Sequence, residues 1–276
     1  MRIKKTSNHN EYFQTKDGIW VRNFCLPNRP IEDINKMVSE KEVGLLINNE
    51  TDNFKKRYAD IQIEIDIRNS IKKAVIVSDG FDFSNKSKLL NDLGEDVCIV
   101  AVNKALKKWE IKRSIDYYVI NNPYPESLAC LPKNNFPKCF ASLRTNPLFL
   151  DAYKGMIFTY RPANEKYYSG ISKATNVKID DYRNPICAAI GILYKFGVQQ
   201  LLLLCTDDAF ASERSGAEKL ESNLWTYPQH LISNRIIDAD LYWLSKKEIK
   251  TGYCSNGPKL KHAAYINEED VKGFFI

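Results

Sequence analysis

Two carboxylates, Asp207 and Asp208, stand side by side directly after the apolar run QLLLLCT. If that run is a strand of a parallel sheet, the pair lies outside a strand's carboxyl end, where open α/β sheets bind ligands. There the pair could act as catalytic groups or, in a phosphoryl-transfer enzyme, as magnesium ligands. The competing reading has Asp208 capping the next turn and Asp207 facing water. His230 opens QHLISNRIIDADLYWLSK. A histidine at the head of a helix suits a general base, against the plainer role of a surface or capping residue. Three more apolar runs end in polar residues: Ser78-Asp79-Gly80 after KAVIV, Asn103 after DVCIVAV, and Asn121-Asn122 after YYVI. A polar turn with glycine after the first strand of an α/β unit is a place for phosphate. One glycine is short of the three-glycine dinucleotide fingerprint, and a plain strand-to-helix turn is the alternative. Asparagine both donates and accepts, which suits a base or ribose, although Asn and Asp are also ordinary turn residues.

Elements of defined type must position these residues. Short continuous apolar runs mark strands buried on both faces of a parallel sheet. The sequence predicts them at Lys73–Val77, Asp96–Val102, Tyr117–Ile120, Cys139–Leu143, Gln200–Cys205 and Ile249–Cys254, with a helix over Ala105–Trp109. Asn184 and Pro185 read as N-cap and first residue of a helix. Its apolar face is Ile186, Ala189, Ile190, Leu193 and Phe196, and Gly197 ends it. Gln229–Lys246 reads as an amphipathic helix presenting Leu231, Ile232, Ile236, Ala239, Tyr242 and Trp243, with Arg235 interrupting that face. The long polar, aromatic and lysine-rich stretch from about 151 to 183 reads as a lid, in which tyrosine hydroxyls could bond a phosphate leaving group. Residues 1–70 read as a helical appendage with a short strand at Ile19–Val21, and 71–276 as a nucleotide-binding domain. The expected fold is thus α/β: a Rossmann-like, mostly parallel sheet with flanking helices, a lid loop and a helical N-terminal appendage.

Composition bounds the function. With 44% hydrophobic and 27% charged residues among 276, the chain can bury a core like an ordinary globular protein. No apolar run approaches the roughly 20 residues that span a membrane. MRIKKTSNHNEYF is basic without an apolar stretch, so no signal peptide and a cytoplasmic location are expected. Seven scattered cysteines, an odd number with no CxxC, fit a reduced compartment, with Cys98, Cys187 and Cys205 as core residues. Three histidines with no Cys/His cluster make a zinc site unexpected. A net charge of +6, spread along the chain, suits a nucleotide, a phosphorylated substrate or peripheral contact with an anionic membrane. It lacks the dense basic stripe of a nucleic-acid binder.

The order of these pieces resembles the domain shared by the DUF115 (MptE-like) proteins, the flagellar motility accessory factors and the bacterial sialyltransferases of glycosyltransferase family 42. The resemblance covers roughly residues 73–262. It is carried by VIVSDGFDFS, IVAVNKALKKW, YYVINNPYPES, NPICAAIGILYKFGVQQLLLLCTDDAF, QHLISNRIIDADLYWLSK, IKTGYC and SNGPKLKH, in that order. It implies a CMP-activated, sialic-acid-like donor used without a metal cofactor, and a small-molecule or glycan acceptor. Asn103 with Asn121 or Asn122 would hold the nucleotide, with Ser78, Asp79, Gly80 and Asn184 around it. His230 would deprotonate the acceptor, and Tyr160 or Tyr168 would meet the leaving phosphate. The chain departs from the pattern where a Gly-Pro-Ser-Leu-like turn is Ser78-Asp79-Gly80-Phe81, and where a glycine before the acidic strand end is Cys205-Thr206. The alternatives are a pterin diphosphokinase using ATP and magnesium held by Asp207 and Asp208, and a non-catalytic nucleotide-binding module. Ile120-Asn121-Asn122-Pro123 stands where such diphosphokinases carry an Asp-rich magnesium stretch. An oligomer is compatible with any of the three.

Overall fold

The computed structural model describes residues 3–5, 11–14, 20–22, 40–68, 70–163, 177–182, 184–206, 217–220, 224–226 and 228–276. Its centre is a ten-stranded sheet in which every pairing is parallel. The strands are β4 (Ala59–Asp60), β5 (Lys73–Val77), β6 (Val97–Val102), β7 (Tyr117–Ile120), β8 (Lys138–Ser142), β9 (Ile157–Pro162), β10 (Lys178–Ile179), β11 (Gln200–Leu204), β14 (Lys250–Cys254) and β15 (Ala264–Tyr265). Their order is β10-β9-β8-β7-β6-β5-β11-β14-β15, with β4 also pairing β9. Separate from it are an antiparallel β1 (Ile3–Lys5), β2 (Glu11–Gln14) and β3 (Trp20–Arg22), and a ribbon of β12 (Glu218–Lys219) and β13 (Trp225–Thr226). The helices are α1 (Glu40–Lys55), α2 (Ile61–Arg68), α3 (Phe83–Lys86), α4 (Pro147–Ala152), α5 (Pro185–Lys195) and α6 (Pro228–Ser245). This is the expected Rossmann-like α/β fold. Among the described residues no helix is long and apolar enough to cross a membrane.

The sheet is covered on both sides, and strand alternation divides its side chains between two cores. Ile76, Val102, Val119, Phe140, Tyr160, Leu203 and Tyr253 face α5 and α6. Val75, Val77, Ile99, Ala101, Tyr118, Ile120 and Leu204 face α3, α4 and the C-terminal Phe274 and Phe275. The six described cysteines are buried free thiols, among them Cys98, Cys187 and Cys205.

α5 shows why the sequence was readable here. The Asn184 side chain accepts from the Ile186 N–H at 2.8 Å, and Pro185 follows it. At the other end Gly197 has φ +82°, its N–H donates to Tyr194 and the Val198 N–H donates to Leu193. That paired closure is a Schellman motif and requires a residue at ease with positive φ.

Several expectations need correction. The stretch from 151 to 183, read as a lid, contains the end of α4 and the strands β9 and β10. All six residues of β9 are buried, so IFTYRP is interior sheet. Ala105–Trp109 is no α-helix: a 3-10 turn over Asn103–Ala105 replaces it. The helical reading of residues 1–70 fits α1 and α2, but β1–β3 add a small antiparallel sheet. β4 and the fully buried Ile61 also build residues before position 70 into the main sheet and its core.

α1 docks through polar groups. The Asn49 amide donates to the Pro123 and Arg144 carbonyls at 2.8 and 3.1 Å. The Asn53 amide donates to Leu143 and Thr145 at 2.9 and 2.6 Å. The Arg144 guanidinium donates to the Glu50 carboxylate at 3.1 Å, with both side chains under 5% exposed. Removing one member of a buried pair leaves the other charge without its counterion, a cost of about 3–5 kcal/mol. Glu50→Ala is therefore expected to lower unfolding free energy by about 3 kcal/mol, and Glu50→Leu with Arg144→Met to recover most of it, as measured by urea denaturation.

Candidate active site at the carboxyl rim of the sheet

β5 continues to β6 on one side and borders β11 on the other, so the chain order changes direction between β5 and β11. Ligand crevices of open α/β sheets form at such switch points. Here the two strand exits are latched together. The Ser78 N–H donates to the Leu204 carbonyl and the Gly80 N–H to the Cys205 carbonyl, each at 3.0 Å. The Gly80 amide expected to meet a phosphate is therefore engaged within the protein. Asp79 is paired with Lys108 at 3.2 Å, and Lys108 also donates to the Asp79 carbonyl. The four-residue α3 that follows is too short to build an anion site at its head. Ser78-Asp79-Gly80 thus serves the switch point first as a structural latch.

The other strand ends differ in how far their polar groups are committed. Asn103 leaves β6 with φ 52°, a left-handed conformation that asparagine tolerates better than most residues, and its carbonyl accepts from the Tyr118 hydroxyl. The Asn122 side chain accepts from the Tyr124 N–H at 2.9 Å, and the Asn122 carbonyl accepts from Asn146, so Asn122 builds its turn. Asn121 is different: it is 7% exposed, and its side-chain N–H₂ has no protein partner. A buried amide without an acceptor is costly unless something supplies one. Continuing the alternation of β7, Asn121 falls on the sheet face that carries α5 and α6.

Cys205 leaves β11 with φ 55° while fully buried. Glycine reaches this left-handed region without a Cβ penalty, so the cysteine here holds a backbone turn that most residues resist. Thr206 is buried beyond it. Asp207, Asp208 and Tyr168 lie outside the described residues. Among the described residues no group of three or more His, Cys, Asp or Glu side chains is gathered as metal ligands.

α6 packs beside α5 and leads into β14, so its first turn sits at the carboxyl rim. Its core-facing residues are Ile237, Leu241 and Leu244, whereas Ile236 and Trp243 of the expected face are only partly buried. The helix is rotated relative to the expectation, because Leu231, Ile236 and Trp243 line its flank. Stepping back from Ile237 by helical spacing, the inward stripe continues through Asn234 to His230. His230 is half-buried. Helical spacing sets His230 one turn beyond Asn234, in the first turn of α6 at the carboxyl rim. Asn184 sits at the same rim as the cap of α5, its side-chain oxygen engaged by Ile186.

Tyr160 requires correction. It belongs to β9 and is fully buried, and its hydroxyl donates to Asp181 at 3.2 Å and meets Ser142. Burial, then the Asp181 carboxylate, pushes its phenol well above the usual tyrosine range, so it remains a protonated donor inside the core. It is a strand residue, not a lid tyrosine reaching for phosphate.

Sequence reasoning missed the polar props of this rim. Asn49, Glu50 and Asn53 hold the turn Leu143–Asn146 and the Pro123 carbonyl beside Asn121. In a helix as polar as EKEVGLLINNETDNFK nothing local marks these three out from the solvent-facing residues around them. Asn234 was also missed, because an asparagine inside an amphipathic repeat looks like surface.

The fold is similar to that of a MAf glycosyltransferase. The solved protein is from Magnetospirillum magneticum AMB-1, and the match has a TM-score of 0.61 at 11% sequence identity. It covers 74% of this chain and 35% of that one, so this chain spans about a third of its length. At this identity the likeness concerns the fold. No protein-family model matches the sequence, and no curated protein does.

Two stability outcomes follow from the geometry. Asn103→Val is expected to lose about 1–2 kcal/mol because a β-branched residue resists positive φ, while Asn103→Gly stays within about 1 kcal/mol of the wild type. Tyr160→Phe is expected to cost about 1–2 kcal/mol through its lost hydrogen bonds. Guanidinium denaturation of the three variants checks both.

Proposed function

We propose that this chain is a nucleotide-dependent transferase, a glycosyltransferase that takes a CMP-activated, sialic-acid-like sugar and passes it to a small-molecule or glycan acceptor. The observation that carries this reading is the unpartnered, buried Asn121 amide at the carboxyl rim of an all-parallel sheet, and His230, in the first turn of α6 at the same rim, is the base we assign to it. The likeness of the fold to a glycosyltransferase supports it.

In this reading Asn121 donates to an oxygen of the nucleotide, with Asn103 at the neighbouring strand end. His230 accepts the proton of the acceptor hydroxyl as that oxygen attacks the anomeric carbon. The new carbon–oxygen bond forms as the bond to the nucleotide phosphate breaks, and the phosphate leaves with the electron pair. The half-burial of His230 suits this step, since a base must be reached by the acceptor yet held by its helix. No metal is needed for the charge balance of that displacement.

A thermal-shift screen against CMP, CDP, UDP, GDP, ATP and a pterin, each with and without magnesium, tests the reading. A ligand that binds only the folded state stabilises it by about 2.7 kcal/mol at a hundred times its Kd. CMP is expected to raise the melting temperature equally in EDTA. His230→Gln is expected to keep that shift and to lower sugar transfer by about 10²–10⁴-fold. Stabilisation seen only with ATP or pterin plus magnesium would overturn the glycosyltransferase reading in favour of a diphosphokinase using Asp207 and Asp208.

A further inference from the structure

The inward stripe of α6 changes character along its length. Ile237, Leu241 and Leu244 fill the core between the helix and the sheet. One turn nearer the rim the stripe continues with Asn234, which is 7% exposed and whose side-chain N–H₂ has no protein partner. His230 follows one turn further on, about 6 Å along the axis at 1.5 Å per residue. An apolar residue at Asn234 would extend the packed stripe without leaving a donor unpaired. The amide therefore weakens the fold at this position, and such a residue is explained when a ligand supplies the missing acceptor.

We propose that Asn234 is a binding residue of the site, donating to an uncharged oxygen of the acceptor sugar while His230 takes the proton of the attacking hydroxyl. This inference rests on the glycosyltransferase reading for the identity of the acceptor, but the contact itself rests on geometry. Two features select a neutral saccharide over a phosphate. An amide donor carries no charge, whereas phosphate is matched by arginine or lysine. The stripe below it is Ile237, so a charged oxygen held there would be desolvated against apolar surface. A hydroxyl or an N-acyl carbonyl needs only the donor.

The experiment compares wild type with Asn234→Leu and Asn234→Ala. Each is melted alone, with CMP, and with CMP plus each of a panel of neutral mono- and disaccharides. Asn234→Leu is expected to melt higher than wild type, because the unpaired donor is gone, and to show the same shift with CMP. At least one saccharide is expected to stabilise the wild type further and to lose that effect in both variants. Where transfer is assayed, the KM for that saccharide should rise at least tenfold with the donor KM unchanged. A purely structural role predicts the opposite sign, an Asn234→Leu protein that melts lower than wild type, and that result would overturn the proposal. So would a panel in which no saccharide distinguishes wild type from the variants. If CMP gives no shift while a saccharide still stabilises only the wild type, the glycosyltransferase reading falls and the Asn234 contact stands.

Discussion

Burial of a parallel sheet on both faces governs the rest of this molecule. Because helices and the C-terminal segment cover both sides, each central strand must be apolar at nearly every position, and polar side chains are displaced to the strand ends. β5, β6, β7 and β11 obey this closely, and Ser78, Asn103, Asn121 and Thr206 stand where they stop. The same constraint concentrates chemistry on one rim without any strand having to carry it.

A rim is useful only if its loops are held. Two backbone hydrogen bonds, from Ser78 to Leu204 and from Gly80 to Cys205, tie together the strand exits at the switch point. They require both segments to leave the sheet at close range, and the left-handed turn at Cys205 accompanies that exit. On the β7–β8 side the work falls to α1, whose Asn49 and Asn53 bond carbonyls of the turns after β7 and β8 and whose Glu50 pairs with the Arg144 guanidinium. The two sides together leave Asn121 with an unanswered donor between firmly held neighbours. Engaged groups such as Gly80, Asn122 and Tyr160 account for structure. The amides of Asn121 and Asn234 are set apart by their lack of a partner.

The central strands, α5 with its cap and Schellman end, and the polar strand ends could all be read from the sequence, because each is encoded by neighbours within a few residues. A run such as KAVIV has one stable place in a globular chain, and Asn-Pro before an apolar repeat closed by glycine specifies a helix with both ends defined. The parallel sheet and its polar carboxyl rim followed from these. So did the candidacy of Asn103, Asn121 and His230.

Tertiary structure decided what depends on distant partners. Whether IFTYRP is lid or strand turns on β8 and β4 pairing with it across long separations. The face that α6 presents was ambiguous, since two overlapping apolar stripes compete on it. Packing against α5 and the sheet selected Ile237, Leu241 and Leu244, and with them buried Asn234. Which asparagine keeps a free donor is likewise invisible in composition: Asn121 and Asn122 are adjacent and identical in type. Hydrogen bonding is a property of the assembled neighbourhood, and only the folded chain shows that Asn122 accepts from its own turn while the buried Asn121 amide has no partner within the protein.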